Sequence, residues 1–293
     1  MPSWQGKSKG TTLGYSIFVA IIKKLGVRPA YFVLTIVAFY YFLFSHKTSK
    51  VIYAFYRRRL QYGRLSSLYK LYRNYYLLGQ TLIDKIAIMS GAGENFSFNF
   101  DGEENLRNIT ALQKGGLLLS AHIGNWEIAG YLLKRLNTRI NIVMFDGEHQ
   151  KIKDYLATVT GKSNANIIVI KNDLSHIFEI AEALKKNELV CMHADRFVEG
   201  NKTVTASFLG APARFPSGPF LLASKFKVPV AYVFAMKETT FHYHFSSTGA
   251  KDYTAFSRDE VISRMLEDFT REMEMKVKAY PEQWFNYYDF WQL

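Results

Sequence analysis

The chain has 293 residues, 48% of them apolar, and a formal charge of +12. That length and apolar share supply one large α/β domain or two small ones, and they exclude a disordered or fibrous chain. Its one cysteine, Cys191 in the run ELVCMHAD, leaves no intramolecular disulfide and suits a reducing compartment.

The charge is unevenly placed. No Asp or Glu precedes Asp84, whereas thirteen Lys and Arg do, so the remainder carries 24 basic residues (37 less 13) against 25 acidic ones. A near-neutral body behind a basic leader is not the footprint of a nucleic-acid-binding module. Within the leader, PAYFVLTIVAFYYFLFS runs uncharged from Pro29 to Ser45, flanked by Lys23, Lys24 and Arg28 before and by Lys47, Lys50 and Arg57 to Arg59 after. Each such flanking charge gains about 1 kcal/mol near an anionic bilayer. The apolar run would extend about 25 Å as a helix, slightly short of a hydrocarbon core of about 30 Å, so spanning and re-entrant arrangements both stay open. No small-residue cleavage site follows it, and a retained membrane anchor is expected.

From Val51 to about Ser90 apolar residues recur every three to four positions without a proline, which predicts one or two amphipathic helices. Beyond Gly91 the texture changes to short apolar runs between helical patterns. Strands are expected at Phe96 to Phe100, Gly116 to Ala121, Ile140 to Phe145, Ile167 to Ile170, Leu189 to His193, Val230 to Ala235 and Phe241 to Ser246. Helices are expected around Trp126 to Leu136, His149 to Thr160, Ser175 to Lys186, Pro216 to Phe226 and Ser257 to Ala279. This alternation predicts an α/β fold with a largely parallel sheet flanked by helices. The expected organisation is an anchor segment over 1–50 and a catalytic domain over 51–293. The closing aromatics, Trp284 to Trp291, read equally as an interfacial belt or as a lid packed on the domain.

The sharpest chemical signal is GGLLLSAHIGNWEIAGYLL. An apolar strand ends at His122, Gly124 permits a tight turn, Asn125 is a good helix N-cap, and Trp126 and Glu127 open a helix. Active-site groups of open α/β sheets gather at such strand ends. The turn lets the Glu127 carboxylate fold back on one imidazole nitrogen and raise the basicity of the other toward a substrate hydroxyl. Ordinary helix capping by the same carboxylate is the competing reading. His193 reads more simply as a hydrogen-bonded core histidine. His242 and His244 share a strand face without a suitably spaced third ligand, so no metal is expected. No Gly-rich phosphate loop or dinucleotide fingerprint is present, and no cofactor is expected.

SAHIGNWE resembles the HxxxxD/E signature of the lysophospholipid and glycerolipid acyltransferase superfamily, and specifically its lipid A biosynthesis branch. The resemblance implies a glycerolipid acyltransferase-like fold, with His122 as general base, Glu127 as its orienting partner and no covalent acyl-enzyme. It continues through MHADRFVEGNKTVTASFLGAPARFPSGPFLLASKFKVPV, which implies that Asn125, Trp126, Asp195, Arg196, Phe208, Gly210, Arg214 and Gly218 line or shape the substrate site. Arg196 and Arg214 are the cations there for a carrier phosphate or an oxyanion. The implied partners are acyl carrier protein or acyl-CoA as donor, a lipid acceptor and the bacterial inner membrane, with the domain on its cytoplasmic side. The stretch MFDGEHQKIKDY stands where lipid A acyltransferases carry an Arg-rich run, and it resembles instead members found near aryl polyene and flexirubin pigment clusters. A lysophospholipid or pigment acceptor, and a non-catalytic lipid-binding protein, are therefore the competing readings.

Overall fold

The computed structural model describes residues 12–128, 136, 138–145, 166–171, 173–198 and 200–291. Four α-helices and a π turn come first: α1 (Thr12–Leu25), α2 (Val27–Phe44), α3 (His46–Ala54), the π turn (Phe55–Arg59) and the long α4 (Arg64–Met89). Strand β1 (Ser97–Asp101) and α5 (Glu103–Ala111) lead to the central strand β2 (Gly116–Ser120). Then follow β3 (Ile140–Phe145), β4 (Asn166–Ile170), α6 (Ser175–Lys185), β5 (Leu189–His193), the hairpin β6 (Thr203–Phe208) and β7 (Ala211–Pro216), α7 (Gly218–Phe226), β8 (Val230–Lys237), β9 (His242–Ser247) and α8 (Arg258–Ala279).

Seven strands form one sheet in the order β1-β9-β8-β2-β5-β3-β4. Five of its six ladders are parallel, and only β8 with β9 is antiparallel. The other expected strands and helices are present where described; of the helix expected at Trp126 to Leu136 residues 129–135 lie outside the described residues, as does all of the helix expected at His149 to Thr160. The β6–β7 hairpin and α5 were not expected. Pro212 and Pro216 argue against a strand, but β6 and β7 form a separate two-stranded ribbon, where proline is tolerated at the open edge. Leu209 and Gly210 turn it with positive φ at both positions, the two-residue geometry that matches strand twist, and the Leu209 N–H is held by Glu274 of α8 at 2.8 Å.

The helix α2 has two faces. Ala30, Tyr31, Leu34 and Ala38 are buried, and Gly79 of α4 admits the Leu34 side chain where any Cβ would collide with it. Phe32, Ile36, Phe39, Tyr40, Leu43 and Phe44 are exposed. Among the described residues α2 is the one helix long and apolar enough to cross a membrane.

Beneath α2 lies a buried polar cluster. Tyr31, Lys237 and Tyr243 all donate to the Asp84 carboxylate, and Asp84 and Lys237 are 0% and 5% exposed. Burial pushes the Asp84 carboxyl up and the Lys237 ammonium down, each opposed by its partner. Tyr243 also receives the Asn125 amide at 3.3 Å, which ties this cluster to the turn after β2. The strand expected to end at Ala235 therefore runs on to Lys237, whose charge is admitted to the interior by Asp84.

Removing one partner leaves an uncompensated buried charge, so Lys237→Met should destabilise the protein by about 3–5 kcal/mol. Combining it with Asp84→Leu should recover most of that loss. Denaturant melts of the single and double variants check this, and a double variant no more stable than the single would contradict it.

Candidate active site

Strands β2 and β5 are parallel neighbours with Ser120 opposite His193. His122 and Asp195 each lie two residues further on, so the register itself sets them side by side at the carboxyl end of the sheet. The Ala194 N–H bonds the Ser120 carbonyl at 2.9 Å and extends the ladder to that point. Asp195 then holds His122 with both oxygens: Oδ1 is 2.7 Å from Nδ1, and Oδ2 accepts the His122 backbone N–H at 3.0 Å. Asp195 is 1% exposed and the His122 side chain 22%, so the pair has a buried end and a reachable end.

The turn after His122 is fixed from several sides. Gly124 has φ of 66° and lies against the Ala235 carbonyl, which any Cβ would strike. Its N–H bonds the Gln283 carbonyl at 2.9 Å, and the Asn125 N–H bonds the Ala235 carbonyl at 2.8 Å. The Asn125 side chain is 3% exposed and is spent on Thr81 and Tyr243. It braces the turn from inside the protein.

The expected contact between Glu127 and the imidazole is replaced by another. Glu127 pairs with Lys85 of α4, and the carboxylate on Nδ1 is that of Asp195. Glu127 favours His122 protonation as a nearby charge, behind Asp195 in size. Chain spacing suggested Glu127, but the inter-strand register brings a better placed carboxylate from 73 residues away.

Electrostatically, burial is the main influence on His122 and lowers its pKa, joined by the nearby Arg196 charge and opposed by Asp195 and Glu127. Burial alone would raise Asp195, but His122 and Arg196 outweigh it and hold the carboxyl well below the usual range. The outcome is a neutral imidazole beside an ionised carboxylate. With Nδ1–H directed at Asp195, the Nε2 lone pair is the atom able to take a proton. Cys191, whose thiol burial pushes up to about 12, is not a nucleophile at neutral pH.

His193 is the functional candidate that sequence reasoning undervalued. Its ring stacks on His122 with centroids 4.2 Å apart and meets the Trp126 indole edge-on at 4.6 Å. Donor atoms of His122, His193 and Asp195 lie within 4.8 Å of one another, compact enough to admit a metal ion. Yet rings stacked 25° from parallel send their in-plane lone pairs side by side rather than to one point.

The C-terminal aromatics pack on the domain. The Phe285 N–H bonds the His122 carbonyl at 3.0 Å, Trp284 bridges Ile123, and the Tyr288 hydroxyl bonds the Asp195 carbonyl at 3.3 Å. Arg196 donates to the Phe285 carbonyl. Of the remaining expected site residues, Phe208, Gly210 and Arg214 belong to the β6–β7 hairpin and Gly218 opens α7. Phe208 is fully buried against Trp284, Phe290 and Trp291, and its carbonyl accepts the Trp291 indole N–H at 2.9 Å. The hairpin thus supports the C-terminal strap, which in turn lies against the His122 turn.

Residues 74–292, more than half of the chain, match the family described as bacterial lipid A biosynthesis acyltransferase. The chain is also similar to the phosphatidylinositol mannoside acyltransferase of Mycobacterium tuberculosis, 28% identical over 127 residues, and that match spans 42% of this chain and 39% of the relative. Among solved structures, it is similar to the 1-acyl-sn-glycerophosphate acyltransferase PlsC from Thermotoga maritima, with a TM-score of 0.37, 18% identity, and coverage of 85% of this chain and 97% of that one.

The geometry ranks the two carboxylates. Asp195→Asn removes the charge and the bond that set the tautomer, and should lower turnover by about two to four orders of magnitude. Glu127→Gln, which leaves that bond intact, should cost far less. Because the His122 pKa is lowered, the acid limb of kcat/KM should fall below the ordinary histidine value of about 6.5, with activity present above it and lost as pH drops through it. Steady-state rates across pH for both variants check this, and a larger loss for Glu127→Gln would reverse the assignment.

Proposed function

The chain belongs to the bacterial lipid A biosynthesis acyltransferase family, and from that premise we propose that it moves a fatty acyl group from a thioester carrier to a hydroxyl of a lipid acceptor at the bacterial inner membrane. The observation that carries the reading is the Asp195–His122 pair, a buried carboxylate holding an imidazole whose side chain is 22% exposed, with a Cys191 thiol that burial keeps protonated. In the proposed step Nε2 takes the acceptor hydroxyl proton as the oxygen attacks the thioester carbonyl. Asp195 stabilises the imidazolium that forms, and collapse of the tetrahedral intermediate expels the carrier thiolate, which takes that proton back. Arg196 is the cation we place near the developing oxyanion, while Arg214 on the hairpin is placed toward the carrier phosphate.

Acyl carrier protein suits the basic leader better than acyl-CoA does, because an acidic protein is attracted over a wider surface. We place residues 1–50 in the membrane-anchoring role and 51–293 in the catalytic one, on the cytoplasmic side where thioester donors are made. The exposed apolar face of α2 supports this, since its other face already packs on α4. The named mycobacterial relative supports a glycolipid as acceptor, that protein being described as acting on a phosphatidylinositol mannoside. The stretch MFDGEHQKIKDY, which lacks the Arg-rich character of lipid A acyltransferases, supports a second reading with the same chemistry and a lysophospholipid or pigment acceptor.

Mass spectrometry of total lipids and pigments, from cells with and without the gene, tests the proposal and names the acceptor. One species should lose a single acyl mass in the deletion strain and regain it with the wild-type gene but not with His122→Ala. Unchanged lipids in a strain that expresses the folded protein would contradict it. Deleting residues 12–45 should release part of the protein from membranes, and raising the salt should release more, since the remaining basic helices bind by charge.

A further inference from the structure

A groove beside α2 is left open between three elements. Arg28, Phe32 and Thr35 stand at i, i+4 and i+7 and so share one stripe of that helix. With Tyr76 of α4 and Thr240 and Phe241 of the β8–β9 turn they line a hollow of about 550 Å³, within the range that holds a bound ligand. The stripe from Arg28 to Thr35 rises about 10 Å along the helix.

The two ends of the groove differ in chemistry. At one end the Arg28 guanidinium lies over the Phe241 ring, 5.7 Å from its centroid, and Thr240, next to Phe241 in the turn, is exposed. Lys23 and Lys24, exposed at the end of α1, add to the positive charge there. No carboxylate lines the groove. Asp84 is buried, bonded by Tyr31 and matched by Lys237, and Glu238 of the turn is held by His244 and Tyr280, each at 3.0 Å. Arg28 thus brings an exposed cation that no acidic side chain among the described residues matches.

The other end is apolar. The Thr35 hydroxyl is spent on the Tyr31 carbonyl at 3.1 Å, and Phe32 is 73% exposed. From Phe32 the stripe continues through Ile36, Phe39 and Leu43, all exposed, so the groove opens without a break onto the apolar face of α2.

We propose that this groove binds one anionic phospholipid of the surrounding bilayer, its phosphate on Arg28 and its acyl chains along Phe32, Ile36 and Phe39. The inference rests on the reading of α2 as the membrane-docking helix. An arginine fork meets two phosphate oxygens at once, which suits it to a lipid phosphate. Free phosphate would engage the Arg28 end alone and leave the apolar length in water, whereas a phospholipid covers both. The unmatched charges of Lys23 and Lys24 favour a headgroup of net negative charge over a zwitterionic one. This lipid is a held component of the helix layer, distinct from the acyl acceptor.

The test places the full chain in vesicles of equal parts phosphatidylcholine and phosphatidylglycerol, confirms by flotation that it is bound, and extracts it in mild detergent. Native mass spectrometry then reads the lipid still attached. The wild type should retain phosphatidylglycerol over phosphatidylcholine by about fivefold or more, and washing with inorganic phosphate should leave it in place. Arg28→Gln should bring that ratio close to one, and Arg28→Lys should keep part of it. Lys47→Gln, which removes the same charge just past the other end of α2, should leave the ratio unchanged. Equal retention of both lipids by the wild type would overturn the inference alone, as would equal losses in Arg28→Gln and Lys47→Gln or removal of the lipid by inorganic phosphate. A chain that floats with no vesicle would overturn the membrane-docking reading of α2 and this inference with it.

Discussion

Everything at the site depends on the parallel pairing of β2 with β5. Parallel strands hold their carboxyl ends level, and this pairing sets Ser120 against His193 and so His122 beside Asp195. A one-residue slip would turn both side chains to opposite faces of the sheet. The consecutive positions Leu117 to Leu119 and Leu189 to Val190 are fully buried, so both faces of the central ladder are core, and such a slip would also force each side chain into packing built for its neighbour. The same apolar packing that stabilises the sheet therefore aligns the His122 imidazole with the Asp195 carboxylate.

A second layer holds the turn that carries His122. The Gln283 side chain bonds the Lys237 backbone on both sides, at 2.9 and 2.7 Å, while its own carbonyl takes the Gly124 N–H. Lys237 in turn meets Asp84 and Tyr31, which reach α4 and α2. A buried ion pair is seldom retained for stability, since its desolvation offsets most of its attraction. What this one provides is directional: it joins the apolar helix α2, the long α4 and the edge of the turn after His122 through oriented bonds. The packing of α2 and the geometry of His122 therefore share a common support.

The sheet was largely legible in the sequence because buried parallel strands read as short apolar runs, and LLLS and LVCMH stand out from helical patterns on either side. His122 was legible too, from a strand, a glycine and a helix cap in succession. Its partner was not. Glu127 is close in the chain, and periodicity gives no measure of how two distant strands register, so the carboxylate of Asp195 was expected to line the site rather than to hold the imidazole. The hairpin β6–β7 was hidden by its prolines, and α5 by a polar, short sequence whose two buried anchors are Leu106 and Ile109. Lys237 was hidden for the opposite reason: a charge normally ends a buried strand, and only the three-dimensional placement of Asp84 reverses that rule.

The central claim is that His122 stands neutral, with its proton on Nδ1 held by Asp195 and its Nε2 lone pair placed to take a proton. Nitrogen-15 NMR of the histidine-labelled protein through a pH titration measures this directly, because the two ring nitrogens and their protonation have distinct shifts. The account predicts an Nδ1–H tautomer for His122 with a pKa below about 6.5, and collapse of that tautomer preference in Asp195→Asn. An Nε2–H tautomer, or a His122 that remains protonated well above that pH, would contradict it.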